Sequence, residues 1–201
     1  MRWFSFSACL FFSVIWLTLS VAAPALAQTP ATLQSSAYRQ ALEKETFELV
    51  NQYRQANQLP PLRWDDTIAK VSRGHSKEMA DAEVDFGHDG FSDRIDKLRK
   101  AIHDLNLIGA GENVLRTDDP EEVARTAVKL WLNSPHHLKN IRGDYNYSGM
   151  GVWVDDKGMI YFTQFFLKLE PLKTVADAQA PPPVKTSLDW LAAPTTVKTS
   201  H

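Results

Sequence analysis

The sequence predicts an α+β domain, because it carries several helical patterns together with strand patterns that predict a hairpin. Before residue 132, several stretches repeat apolar residues every three or four positions, which is the period of a helix with one buried face. Two later stretches, within residues 148–154 and 159–167, are rich in the β-branched and aromatic residues that favour strands. The 201-residue chain has one cysteine and a formal charge of -2, with no basic cluster of the kind that indicates a nucleic-acid partner.

The first residues resemble a secretory signal peptide, which we predict over residues 1–27. Arg2 is the only charge there, Trp3 to Val21 is nearly all apolar, and Ala25-Leu26-Ala27 fits a small-residue cleavage site. An uncleaved membrane anchor is the alternative. Cleavage removes Cys9, so the mature chain would have no thiol and no disulfide. We therefore expect a secreted or periplasmic protein without stable membrane insertion.

The remaining chain divides by composition into three parts. Residues 28–37 are polar and predict a flexible leader, and residues 38–169 carry the periodic patterns of a folded domain. Residues 170–201 are rich in proline and alanine, which predicts a disordered or extended tail.

Helix signals follow one another through the first part of the domain. The first predicted helix spans Tyr38 to Leu59 and is stopped by two prolines. The second is capped by Asp65 or Asp66, and the third begins with Ser92 as N-cap. The buried stripes that we predict for the second and third helices are Ile68, Val71, His75, Met79 and Ala82, and Ile95, Leu98, Ile102 and Leu105. Because His75 lies on such a stripe, we interpret it as a core histidine that bonds to a neighbour.

A fourth helix is predicted to start at Asp119, which would be the N-cap, with proline at the first helical position. Its apolar face ends at Trp131. Ser134 and Pro135 then suit the start of a new helix. His136 and His137 fall in its first turn, where the positive end of the helix dipole favours a neutral imidazole that can bind a metal.

Two glycine-containing stretches supply further polar groups. Phe86-Gly87-His88 lies in a predicted loop, and by itself His88 could be an exposed loop residue. Gly111-Glu112-Asn113 enters a predicted strand, in which Glu112 and Val114 share one face. A carboxylate beside a core valine indicates a cleft, or a cationic or metal partner, because an unpaired buried charge is costly. A strand end in water is the alternative.

The last two predicted strands form a hairpin around the turn Asp155 to Gly158. Gly149 and Gly151 share one face of the first strand, so we expect another element to pack close to it. Gln164 in the second strand is either a hydrogen-bonded core amide or a support for a cleft residue.

His88, Glu112 and His137 are our candidate metal ligands. Two histidines and a glutamate can bind Zn²⁺ and leave a position open. The motifs of common zinc peptidases, serine hydrolases and phosphate-binding loops are absent from the sequence.

A series of short motifs resembles the CAP superfamily of cysteine-rich secretory, antigen 5 and pathogenesis-related class 1 proteins, in its bacterial secreted, SCP-like branch. The motifs are Asn51-Gln52-Tyr53-Arg54, Leu62-Arg63-Trp64-Asp65, His75-Ser76-Lys77-Glu78-Met79, Phe86-Gly87-His88, Gly111-Glu112-Asn113, Trp131 to Ile141, Gly149-Met150-Gly151-Val152 and Phe162-Thr163-Gln164.

This resemblance implies a three-layer α-β-α sandwich with a central antiparallel sheet. It also implies a cavity with two histidines and two acidic residues that binds Zn²⁺ or another divalent cation in some members. The matched cavity residues are His88, Glu112 and His137, while Ser134 stands at the second acidic position. No catalytic residue is implied. The residues that would support this cavity are Asn113, His136, Asn140 and Gln164.

Two functions fit these residues. One is a secreted module that binds a divalent metal and a lipid or another ligand of the cell envelope. The other is a metal-dependent hydrolase or peptidase, which needs a general base near the metal-bound water. Ser134 cannot serve as that base unaided, so the sequence favours the binding module.

Overall fold

A computed structural model describes residues 30–119 and 121–172, and this part of the chain forms three layers. A four-stranded sheet separates two groups of helices. The elements are α1 (Pro30–Gln34), α2 (Ser36–Ala56), β1 (Arg63–Trp64), α3 (Asp66–Ala80), α4 (Phe91–Ala101), β2 (Leu105–Thr117), α5 (Val123–Asn133), α6 (Pro135–Arg142), β3 (Tyr147–Val154) and β4 (Ile160–Pro171).

The sheet has the strand order β1-β3-β4-β2. The predicted hairpin is present, since β3 and β4 pair antiparallel, and β2 pairs antiparallel with the other side of β4. The two-residue strand β1 runs parallel to β3, so it alone departs from the antiparallel arrangement that the resemblance implies. The predicted α+β sandwich is confirmed.

Alternate residues of β4 face the two helical layers, as the pleat of a strand requires. Phe162 and Phe166 join a core with residues of α2, α5 and α6. Phe165 and Leu167 instead pack with Ile68 of α3 and Leu98 of α4. Each layer therefore buries its apolar face against one side of the same strand.

Helix α3 lies directly against β3, as the paired glycines predict. A Cβ atom at Gly149 or Gly151 would overlap the backbone of α3. Ser72 and Ser76 complete the contact by donating hydrogen bonds to the carbonyl oxygens of Gly149 and Gly151, at 3.0 and 2.9 Å. The buried face of α3 therefore includes two small serines that the predicted apolar stripe omits. Ala82 does not belong to it, because it is exposed and lies beyond the helix end.

Side chains cover the outer edges of the sheet, which would otherwise present unpaired backbone groups. Beyond the two residues of β3 that pair with β1, the buried carboxylate of Glu43 accepts the backbone N–H of Val152 at 3.0 Å and also binds Arg73. On β2, the indole of Trp131 donates to the carbonyl oxygen of Val114 at 3.2 Å. The side chain of Asn140 donates to the carbonyl oxygen of Glu112, also on β2.

Residues 30–34 are helical, within the segment 28–37 for which the sequence predicts a flexible leader. Helix α1 covers Pro30–Gln34, and Leu33 is buried in the core. Helix α2 starts at Ser36, because the hydroxyl of Ser35 caps it by accepting the N–H of Tyr38 at 3.2 Å. Composition alone does not reveal this segment, because polar residues, Thr32 and Gln34, stand on either side of the buried Leu33.

Helix α4 begins earlier and ends earlier than predicted. Its N-cap is Gly90 rather than Ser92, because Gly90 has a φ of 75°, a conformation that glycine adopts without strain. The helix ends at Ala101, and Leu105 starts β2 instead of extending the helical stripe.

Helix α5 starts at Val123, four residues after the predicted N-cap Asp119. The carboxylate of Asp119 accepts the N–H of Glu121 at 2.9 Å, which is a local turn that competes with capping a helix. Glu122 then adopts a φ of 45° before the helix begins.

The two predicted terminal segments are described only in part. Strand β4 continues through Glu170 and Pro171, which pair with the start of β2 beyond the predicted domain end at residue 169. The predicted signal peptide and residues 173–201 of the predicted tail lie outside the described residues.

We predict that Gly151→Ala lowers the free energy of unfolding by at least about 2 kcal/mol, because the added methyl group meets the backbone of Arg73 and separates α3 from β3. Gly74→Ala is the matched control, since no atom outside its own helix lies within 4 Å of the added Cβ. It should raise the stability by about 0.5–1 kcal/mol through helix propensity. Urea denaturation measures both changes, and equal effects would contradict the close packing.

Candidate functional site

Glu112 lies in the middle of β2, and its side chain is only 1% exposed. Its two carboxylate oxygens accept hydrogen bonds from Nε and Nη2 of Arg94, at 3.1 and 3.0 Å. A third bond, 2.8 Å long, joins Oε1 to Nδ1 of His88. Of the alternatives that the sequence leaves open, the structure shows a cationic partner for Glu112.

Arg94 is the residue of this cluster that the sequence analysis missed. Its side chain is 6% exposed, and it also donates to the carbonyl oxygens of Asp89, at 2.6 Å, and His88, at 3.3 Å. A signal for it exists, because Arg94 lies four residues before Leu98 on the buried face of α4. A charged residue on an apolar stripe predicts a buried partner of opposite charge.

His88 is oriented by this ion pair, although its side chain is 53% exposed. An ionised carboxylate only accepts hydrogen bonds, so Nδ1 of His88 is the donor to Glu112. In the neutral ring, Nε2 then carries the lone pair. Arg94 fixes the loop that bears His88 through its backbone, and Glu112 fixes the ring.

The neighbouring residue Asn113 connects the same strand to α6. Its side-chain Nδ2 donates to the carbonyl oxygen of His137 at 3.1 Å, and its Oδ1 accepts from Asn140 at 2.9 Å. Asn140 also donates to the carbonyl oxygen of Glu112 at 3.0 Å. Because α6 begins at Pro135, as predicted, these bonds hold its first turn, with His137, beside the strand.

His137 is partly buried, and its environment disfavours the imidazolium form. Burial lowers the pKa of His137 below its ordinary value of 6.5, and the nearby charges of His88 and His136 lower it further. At neutral pH, His137 therefore presents a neutral ring.

The comparison with known proteins decides the family. The model of the cysteine-rich secretory protein family, CAP, matches residues 47–166, which is more than half of the chain. The chain belongs to the CAP family.

Two curated proteins of Bacillus subtilis show the same relationship. The uncharacterized protein YkwD is 35% identical over 150 residues, which cover 73% of this chain and 55% of YkwD. The uncharacterized membrane protein YlbC is 34% identical over 130 residues, which cover 63% of this chain and 34% of YlbC. The matched part of this CAP chain thus spans about half of one relative and a third of the other.

Solved structures of other bacterial proteins share the CAP fold. An extracellular protein containing an SCP domain from Bacillus anthracis is 32% identical, with a TM-score of 0.53, over 70% of this chain and 44% of that one. An outer surface protein of Borrelia burgdorferi is 20% identical, with a TM-score of 0.55, over 64% of this chain and 92% of that one, and it shows the fold alone. Within residues 30–119 and 121–172, we find no helix with the length and apolar character of a membrane span.

Three of the residues that the sequence analysis assigned to the CAP cavity make no hydrogen bond to the Glu112 cluster. Ser134 precedes α6 but makes no side-chain capping bond. His136 is exposed, and its nearby charge lowers the pKa of His137. Gln164 is a core amide that donates to the hydroxyl of Ser148 at 3.0 Å, on the sheet face opposite to that of Glu112.

His75 is a core histidine that contacts the loop bearing His88. It is 1% exposed, and its Nε2 lies 2.9 Å from the carbonyl oxygen of Gly87, the residue before His88. The predicted hydrogen-bonded core role is confirmed. The bond fixes the loop at the point where it delivers His88 to Glu112.

The donor set of the site can be compared with the needs of a divalent metal. Among the described residues, no group of three or more His, Cys, Asp or Glu side chains forms a metal-binding arrangement. Both oxygens of Glu112 are engaged by Arg94 and His88. Ring nitrogens of His88 and His137 that make no hydrogen bond to the described residues are further donors, and imidazole suits a borderline cation such as Zn²⁺.

We predict that Arg94→Met lowers the free energy of unfolding by about 3 kcal/mol, because it leaves the carboxylate of Glu112 buried without a cation. The double variant Arg94→Met/Glu112→Gln should recover part of this loss, since the uncompensated charge is gone. Arg99→Met is the control, because its ion pair with Asp96 is exposed and should contribute little. Thermal and urea unfolding measure all three, and an Arg94→Met effect no larger than the control would contradict the buried ion pair.

We also predict that His137 titrates below 6.5 in the metal-free protein. Because the folded-state pKa is below the unfolded value, this residue contributes stability that is complete above about pH 7 and declines as the pH falls through 6.5 and below. His88→Ala should raise the pKa of His137 without restoring the ordinary value, since burial is the largest cause. NMR titration of the imidazole protons measures the pKa of His137. An unchanged pKa of His137 in His88→Ala would contradict an electrostatic interaction between the two imidazoles.

Proposed function

We propose that this CAP protein is an extracytoplasmic binding module in which His88 and His137 hold a divalent cation, with Glu112 orienting His88. The cation would be Zn²⁺ or a similar ion, and it would act as a Lewis acid toward the oxygen of a bound ligand. The ligand would belong to the cell envelope.

The observation that carries the proposal is the hydrogen bond from His88 Nδ1 to Glu112 Oε1, 2.8 Å long. Metal-binding histidines commonly donate their second ring nitrogen to a carboxylate, which fixes the tautomer and the direction of the ligating nitrogen. Arg94 holds that carboxylate in turn. In this arrangement Glu112 does not bind the cation itself. Direct ligation would require Arg94 to give up a hydrogen bond to an oxygen of Glu112.

The protonation of the second imidazole supports the same proposal. A histidine binds a metal only in its neutral form. Burial and neighbouring positive charge keep His137 neutral at pH values where an ordinary histidine is partly protonated. Two imidazoles would leave coordination positions open for water or for an oxygen of the ligand.

The location outside the cytoplasm rests on the predicted signal peptide and on the relatives. The Bacillus anthracis structure with an SCP domain is described as an extracellular protein. A mature chain without cysteine depends on its core and its buried ion pairs rather than on disulfides.

A binding role fits the site better than hydrolysis. A metal-dependent hydrolase needs a base that is free to take a proton from water. The carboxylate that touches His88 is Glu112, and it is already bonded to both His88 and Arg94. Ser134 occupies the other position where the family resemblance places an acidic residue.

We predict that the purified mature chain binds Zn²⁺ at one site, measured by isothermal titration calorimetry. His88→Ala and His137→Ala should each abolish that binding, because each removes a direct ligand. Glu112→Gln should weaken it by roughly tenfold to a hundredfold, because it disturbs only the orientation of His88.

His103→Ala is the matched control, since this histidine is exposed and its ion-pair partner is Asp104, which is not part of the cluster. It should leave Zn²⁺ affinity unchanged, and circular dichroism would verify that each variant is folded. Equal Zn²⁺ affinity of His88→Ala and the unmodified protein would reject the proposed site.

A further inference from the structure

A groove of about 390 Å³ is lined by residues of α2, β1 and α3, and none of the residues of the cation site lines it. Its volume falls within the roughly 300–1,000 Å³ that small-molecule sites occupy. From α2 it is lined by Gln40, Lys44 and Phe47, which are three or four positions apart and therefore lie on one face of the helix. Trp64 of β1 and Asp66 of α3 also line it.

Two aromatic rings meet at this groove and form a right-angled corner. The ring centroids of Phe47 and Trp64 are 5.2 Å apart, and the ring planes are inclined at 84°. Both side chains are partly exposed, so their faces can be reached from solvent. The indole Nε1 of Trp64 donates a hydrogen bond to Oδ1 of Asp66 at 2.8 Å, which fixes the orientation of the indole. The corner is therefore formed before a ligand arrives.

The faces of these two rings are not used by a cation of the described chain. Elsewhere the guanidinium of Arg39 lies over the ring of Trp153, 4.0 Å from its centroid. Within residues 30–119 and 121–172, no lysine or arginine head group is found over Phe47 or Trp64. Because the face of an aromatic ring attracts a cation, the corner offers an attraction that a cationic ligand can use.

The charged side chains that line the groove favour a cation over an anion. The carboxylate of Glu43 is paired with the guanidinium of Arg73, which donates to it from Nε and Nη2 at 2.8 and 2.7 Å, so these two charges compensate each other. Of the other lining residues, Glu48 and Asp66 are acidic and only Lys44 is basic. The lining therefore carries an excess of one negative charge.

We propose that this groove binds a quaternary ammonium group, such as the trimethylammonium end of choline. The methyl groups would pack against Phe47 and Trp64, and the carboxylates of Glu48 and Asp66 would lie on the side of the positive charge. A primary ammonium group needs hydrogen-bond acceptors, which aromatic rings supply poorly. A quaternary ammonium group has no N–H to satisfy and a largely apolar surface, so it suits a corner of two aromatic rings.

The test titrates choline into the ¹⁵N-labelled mature chain, followed by NMR. Amide signals of residues 43–48 and 64–66 and the indole N–H signal of Trp64 should shift and saturate. The probe 3,3-dimethylbutan-1-ol has the shape of choline with a neutral carbon in place of the nitrogen. It should bind about threefold to thirtyfold more weakly, because it loses the attraction between the cation and the rings. Ethanolamine, which has the charge but not the methyl groups, should also bind more weakly.

Three variants locate the site on the chain. Phe47→Leu keeps an apolar side chain but removes one aromatic face, and it should weaken choline binding at least about threefold. Glu48→Gln should weaken it by about twofold to fivefold and reduce its dependence on salt. Glu45→Gln is the matched control, because it removes the same charge from an exposed position of α2 that does not line the groove. It should leave the affinity for choline unchanged, and circular dichroism would verify that each variant is folded.

Four results would each overturn the proposal. They are no saturable binding up to about 10 mM choline, shifts that map outside the two segments, equal affinity for the neutral probe, and full affinity in folded Phe47→Leu. Equal affinity for the neutral probe would identify the groove as a general apolar site. The titrations contain no Zn²⁺, so their failure leaves the cation site at His88 and His137 to its own test.

Discussion

The burial of the Glu112 carboxylate is the constraint on which the site depends. An ionised carboxylate in an apolar layer is costly unless cations and hydrogen bonds compensate it. Arg94 provides the charge, and the same guanidinium also binds two carbonyl oxygens of the loop before α4. One residue thereby fixes the helix, the loop and the strand relative to each other. His88 is consequently held at a defined position, although more than half of its side chain is exposed.

The alternation of side chains along β2 brings the two helical layers to one site. Glu112 faces the layer of α4 and the loop with His88, whereas Asn113 bonds to α6, which belongs to the other layer. The far end of α6 is held by the buried side chain of Arg54, which donates to the carbonyl oxygens of Ile141, at 2.7 Å, and Gly143, at 3.0 Å. Two successive residues of one edge strand, with an arginine from α2, therefore position both imidazoles.

Periodicity and glycine placement predicted much of this fold, and tertiary pairing explains what they missed. The close contact of α3 with β3 follows from Gly149 and Gly151, because only a missing side chain leaves room for a helix backbone. The start of α6 follows from Ser134 and Pro135. Arg94 lies on the buried stripe of α4, which signals a buried partner, but that partner comes from a strand distant in sequence and the stripe does not identify it. The starts of α4 and α5 were misplaced because glycine geometry and a local aspartate turn prevailed over capping propensity.

The most direct measurement of the proposed cation site is anomalous X-ray diffraction at the zinc edge from crystals of the mature chain soaked in Zn²⁺. We expect one peak, bonded by Nε2 of His88 and by His137, while Glu112 remains paired with Arg94. A peak bonded by the carboxylate of Glu112 with Arg94 displaced, or no peak near the two imidazoles, would contradict the assignment of Glu112 as the residue that orients His88.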